Sequence, residues 1–162
     1  MLLSQVFSPS RIKIGLESEE KDELFEELVD ILAREGGREF PRETVLDAVW
    51  EREGKMSTGI TRGIALPHGK AEGLQGISGV LGVSRKGIEY AALDGQPVFL
   101  VFLLVSSTRE SELHLAALKR LAVILDDPEF FTELVKADSP ARANAIIKNF
   151  EGRLVDLSPG RG

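Results

Sequence analysis

The sequence predicts an α/β sandwich: a single domain in which a mixed β-sheet carries helices on both faces. Three observations predict it. The chain has 162 residues, the size of one domain with one substantial core. Its apolar residues switch between helical stripes and period-two strands along the chain. One run, Val98 to Val105, is apolar on both alternating faces, as a central strand covered on both sides would be. The domain is assigned to residues 1–152, with 153–162 as a C-terminal tail.

The elements follow in order. Between Ser18 and Arg34, Leu24, Phe25, Leu28, Val29, Ile31 and Leu32 form an amphipathic stripe. Ser18 is the expected N-cap, Glu19, Glu20, Asp22 and Glu23 suit the positive end of the helix dipole, and Gly36-Gly37 ends the helix. Pro41 opens a second helix carrying Val45, Leu46, Val49 and Trp50, closed by Gly54, with Trp50 expected in the core. Residues 57–70 read STGITRGIALPHGK, and three glycines and a proline make this a loop or short strand. Ile77, Leu81 and Val83 alternate along a strand over 76–84, and Ile88 to Ala91 is a short strand candidate. Asp94-Gly95 marks a turn before the central strand. Ser107-x-x-Glu110 reads as a capping box opening a helix with Leu113, Ala117, Leu118, Leu121, Ile124 and Leu125, which stops near Asp127-Pro128. Shorter helices are expected at about 128–136 and 140–150.

Composition excludes several function classes. Lys and Arg total 20 against 26 Asp and Glu, a formal charge of −6, which argues against nucleic acid as a partner. A chain without cysteine has no disulfide, thiolate metal site or cysteine nucleophile. The N-terminus lacks a basic segment followed by an apolar run, and the longest apolar run is far short of the ~20 residues that cross a bilayer. A cytoplasmic protein without direct membrane insertion is expected.

Chemistry-bearing motifs are few. A P-loop fails because Gly69-Lys70 is followed by Ala71 and position 64 is Ile. A hydrolase elbow fails because Gly76-Ile77-Ser78-Gly79-Val80 lacks its last glycine. The only two histidines, His68 and His114, are too far apart in sequence and too poorly supported by carboxylates to suggest zinc, so neither a metal nor a cofactor is expected. His68 follows a proline in a glycine-rich segment, where a neutral imidazole can attack phosphorus and Gly59, Gly63 and Gly69 can bring backbone amides to phosphate oxygens. From its surroundings alone an ordinary loop histidine is the more common reading. His114 shares a helix face with Leu118, Leu121 and Leu125, the setting of a core histidine, yet lies near a helix start that favours anions.

These residues resemble a known family. The segment Ser57 to Lys70, above all Ile64-Ala65-Leu66-Pro67-His68-Gly69, is similar to the active-site signature of enzyme IIA domains of the bacterial phosphoenolpyruvate:sugar phosphotransferase system. The matching class is the fructose/mannitol type, which includes the nitrogen-regulatory IIA proteins. Arg52 stands before His68 at the family's spacing, and Asp94 to Val98 and His114-Leu115 resemble the family's later segments, so the likeness covers roughly residues 3–150. One departure is Thr61, where the family usually has Gly or Ala. A β-branched residue there either slows transfer or adds a donor.

The resemblance implies a phosphotransferase component. His68 would accept a phosphoryl group from HPr or its nitrogen-branch counterpart, while Arg52 and His114 stabilise it. The group would then pass to a IIB cysteine, or its presence would itself be the signal to regulated target proteins. Without cysteine and at this length, the chain is expected to be a free-standing IIA. The segment Leu2 to Leu16 and His68-Gly69-Lys70 favour the nitrogen-regulatory branch over a sugar-specific one. A degenerate sensor domain is disfavoured because Arg52, His68 and His114 are all present.

Overall fold

A computed structural model describes residues 1–60 and 62–156. Among them the helices are α1 (Leu3–Val6), α2 (Lys21–Gly36), α3 (Arg42–Lys55), α4 (Ser111–Leu125), α5 (Pro128–Val135) and α6 (Pro140–Asp156). The strands are β1 (Ile12–Ile14), β2 (Ile64–Ala65), β3 (His68–Ala71), β4 (Ile77–Ile88) and β5 (Val98–Ser107). The five strands form one mixed sheet in the order β1-β4-β5-β2, with β3 also paired to β5. β4 and β5 are antiparallel, while β1 runs parallel to β4, and β2 and β3 run parallel to β5. β2 and β3 thus share one edge of the sheet.

The expected two-sided burial of β5 is found. Leu100, Phe102 and Leu104 pack into a core with Phe7, Leu121, Phe130, Ile147 and Phe150, beneath α1, α4, α5 and α6. Val101, Leu103 and Val105 pack oppositely, with Leu24, Phe25, Leu28, Val45 and Val49 of α2 and α3. Each buried side chain of this size contributes about 1.5–3 kcal/mol by leaving water. The N-terminus is fastened to the first layer by Glu151, a buried carboxylate that accepts from the amides of Leu3 at 2.6 Å and Ser4 at 3.2 Å.

Four local expectations are corrected. Ser18 is not an N-cap: α2 begins at Lys21, and the Ser18 hydroxyl and amide donate to Glu27 instead. Trp50 is not core. The buried stripe of α3 is Val45, Leu46, Val49 and Glu53, so Trp50 falls on its margin, 37% exposed and tilted against Phe25. Ser107 ends β5 rather than capping a helix; its carbonyl accepts the Glu110 amide and its hydroxyl accepts the Arg109 amide in a turn. α4 therefore starts at Ser111, and His114 is its fourth residue. Finally, the last helix, expected to end near position 150, continues as α6 through Asp156; residues 157–162, in the expected tail, lie outside the described residues.

Candidate active site

Strand alternation sets the site's geometry. In β3, His68 and Lys70 pair in register with Leu104 and Ser106 of β5, on the face covered by α4. Gly69 and Ala71 pair with Val105 and Ser107 and turn to the α3 face. Gly69 makes that approach possible: a Cβ there would sit 3.0 Å from the backbone carbon of Ala48 and the nitrogen of Val49 in α3. Because β3 lies at the sheet edge, α3 from one layer and α4 from the other both reach it.

The result is an open groove of about 590 Å³. Arg52 and Lys55 line it from α3, His68 and Lys70 from β3, and His114, Leu115 and Leu118 from α4. All three sequence-predicted residues therefore converge, although they come from three different elements. The rings of His68 and His114 have centroids 5.5 Å apart. Arg52 is half-buried, and its Nη1 donates to the Met56 carbonyl at 2.8 Å, which holds the guanidinium at the end of α3.

Each imidazole has one nitrogen engaged. His68 Nδ1 lies 2.8 Å from the Leu66 carbonyl, an acceptor only, so Nδ1 carries the proton and Nε2 keeps its lone pair. Burial lowers the His68 pKa below the ordinary histidine value; the Leu66 carbonyl opposes that, and the charges of Arg52 and Lys70 add to it. His114 is buried at 4% exposure, its Nδ1 lies 2.6 Å from Ser106 Oγ, and its Nε2 has no hydrogen-bond partner among the described residues. Burial, with the neighbouring His68 and Lys70, pushes its pKa down to about 4. Both rings are neutral near pH 7.

The glycine expectation is corrected in part. Gly59 and Gly63 do not line the groove. A Cβ on Gly59 would meet Tyr90 and Ala92, and Gly63, at φ +79°, lies against Phe99 and Phe131. Their role is close packing of the loop rather than delivery of amides to an anion. Thr61 lies outside the described residues. The sequence reading missed Lys55, Lys70 and Ser106 as site-lining or site-contacting residues. Lys70 was legible, since i and i+2 share a strand face and it lies two positions after His68. Ser106 carried a fainter sign, a polar residue ending an apolar run on the same alternation as Leu104.

Known proteins similar to this chain share its family and its fold. Residues 5–150 match the family model described as phosphoenolpyruvate-dependent sugar phosphotransferase system, EIIA 2. A nitrogen regulatory protein of Pseudomonas aeruginosa is 35% identical over 146 residues, covering 90% of this chain and 94% of that protein. The fructose-specific EIIABC component of Bacillus subtilis is 34% identical over 151 residues, covering 93% of this chain but 24% of that protein, so the chain spans about a quarter of its length. The crystal structure of nitrogen regulatory protein IIA-Ntr from Neisseria meningitidis superposes with a TM-score of 0.82 at 29% identity, covering 90% of this chain and 98% of that one. A chain that matches the model over nearly its whole length, on a sheet framed as in a solved relative, belongs to the EIIA 2 family of the phosphoenolpyruvate-dependent sugar phosphotransferase system.

Proposed function

We propose that His68 is the residue that carries the phosphoryl group, received from a histidine of a small HPr-like carrier protein. The observation that carries this reading is the His68 ring itself: Nδ1 is committed to the Leu66 carbonyl, and Nε2 is left as a neutral nucleophile in a groove with Arg52, Lys70 and His114. In the transfer, the Nε2 lone pair forms an N–P bond while the donor's N–P bond breaks, and that electron pair returns to the donor imidazole. Nδ1 keeps its proton, and the Leu66 carbonyl offsets the positive charge the ring gains. Arg52 and Lys70 stabilise the phosphoryl oxygens by charge, and His114 by hydrogen bonding.

The role is regulatory in this reading. Its support is the match to nitrogen regulatory proteins along nearly their full length. Phosphorylation places about −1.5 to −2 of charge in an open groove lined by cations, which changes what can cover it. A second reading, transfer onward to a IIB cysteine during sugar uptake, is favoured by the match to a fructose-specific component. No helix among the described residues is long and apolar enough to cross a membrane, and a cytoplasmic location is part of the proposal.

Incubation with phosphoenolpyruvate, enzyme I and an HPr-like carrier tests the assignment. Acid-labile phosphate is expected on His68 and absent from His68→Ala. Label retained in that variant overturns it.

A further inference from the structure

β5 closes its apolar run with two serines, and the first is fully buried, at 0% exposure. Ser106 lies between β3 and α4: its backbone pairs in register with Lys70, and its hydroxyl contacts His114 Nδ1 at 2.6 Å. Among the described residues this is the one hydrogen bond of that hydroxyl. Buried polar groups in folded proteins are nearly always paired, because an unmet donor or acceptor costs its lost hydration.

A serine hydroxyl has one proton and two lone pairs, and a neutral imidazole has one N–H and one bare nitrogen. Two arrangements fit the contact. In the first, His114 donates from Nδ1. The serine proton is then stranded inside the sheet–helix interface, and Nε2 presents a lone pair. In the second, Ser106 donates to Nδ1 and the imidazole proton sits on Nε2. The only unmet donor is then Nε2–H, which has no partner among the described residues and belongs to the ring that lines the groove beside His68. The second arrangement leaves its one unmet group, a buried N–H, on the ring that lines the groove beside the proposed acceptor His68. The first presents a lone pair to an anion at that place.

We infer that Ser106 is a positioning residue for phosphotransfer: by donating to His114 Nδ1 it holds that imidazole in the Nε2–H tautomer and in the orientation that offers a donor to the phosphoryl group. This rests on the reading of His68 as the phosphoryl acceptor. In this inference Ser106 acts only through His114. The role differs from packing, since a methyl group would fill nearly the same space.

Nitrogen-15 NMR of the histidine side chains and phosphotransfer kinetics together test it. In the unmodified protein His114 is expected to show a single Nε2–H tautomer. In Ser106→Ala the His114 nitrogens should move toward tautomer averaging. Transfer from the phosphorylated HPr-like carrier should slow by about tenfold or more in kcat with KM for the carrier unchanged, because a buried hydroxyl takes no part in docking. Ser106→Thr keeps the hydroxyl and should recover most of the rate if it folds. In a double-mutant cycle, Ser106→Ala should add no further loss on a His114→Ala background. An Nδ1–H tautomer in the unmodified protein overturns the inference, as does a Ser106→Ala protein with unchanged rate, or a full additive loss in the cycle. The acceptor reading fails separately: phosphate retained in His68→Ala removes the reaction on which Ser106 is said to act, whereas phosphate lost there with Ser106→Ala unchanged removes Ser106 alone.

Discussion

In the proposed transfer His68 is the nucleophile, and its surroundings set both the tautomer and the charge of the ring. The Leu66 carbonyl fixes the proton on Nδ1, and burial with nearby Arg52 keeps the ring unprotonated. A base with a lowered pKa loses activity only when pH falls below that value. The fall in the rate of phosphoryl acceptance on acidification should therefore have its midpoint below the ordinary histidine value of ~6.5, measured with donor carrier in excess. A midpoint above ~6.5 would contradict the lowered value. Arg52 supplies charge from the end of α3, tethered to the Met56 carbonyl. A charge-assisted contact contributes about 1.5–3 kcal/mol, so Arg52→Ala should slow transfer by roughly ten- to a hundredfold. Arg52→Lys should recover little, because an ammonium cannot hold that carbonyl and a phosphoryl oxygen with the guanidinium's planar fork. Rapid-quench measurement of both variants checks this.

At the scale of elements, the contact between β3 and α3 decides how far Arg52 stands from His68. Gly69 has no side chain to hold them apart, and a Cβ would meet helix backbone rather than a movable side chain. Gly69→Ala should cost about 1–3 kcal/mol in urea unfolding and also slow transfer, since α3 must shift and carries Arg52 with it. Gly152→Ala is the matched control. Its position in α6 is exposed with nothing near the added methyl, so helix propensity should make it neutral or stabilising by up to ~1 kcal/mol, with transfer unchanged. Beside the groove, a buried network also ties Thr58, after α3, to Glu53 of α3, Lys21 of α2 and Tyr90 just past the end of β4. Burial pushes the Glu53 carboxyl up, but bonds from Thr58, Lys21 and Tyr90 outweigh that and hold it below the usual carboxylate range.

For the whole molecule, the groove is an open surface between two helical layers, with cations and exposed leucine on its rim. Leu115 is 52% exposed. Such a surface suits a protein partner, and a phosphoryl group would cancel most of the positive charge that Arg52, Lys55 and Lys70 bring over Glu51. Pull-downs with unmodified and phosphorylated protein should recover different partner sets. Identical sets, with rapid passage of phosphate to a IIB domain, would favour the sugar-uptake reading.

Much of this was legible in sequence. The helical stripe over Leu24 to Leu32, the doubly apolar β5 and the turn at Gly95 each follow from local periodicity or backbone preference, and each is found. The resemblance carried by Ile64 to Gly69, by the spacing of Arg52 and by His114-Leu115 picked out three of the residues that line the groove. Local rules failed where a side chain had a better distant partner. Ser18 serves Glu27 rather than a helix end, and Trp50 sits at a layer's margin because burial is decided by the opposing surface, not by hydrophobicity alone. Sequence by itself thus determined most elements and the central strand, since these depend on neighbours within a few positions, and the resemblance singled out His68 for the proposed chemistry. Tertiary structure decided the rest: that β3 lies at the sheet edge, that Gly69 faces α3 while His68 and Lys70 face α4, and that Ser106 meets His114. Those facts rest on strand register and on the packing of helices against opposite faces, and both are settled by contacts between residues distant along the chain.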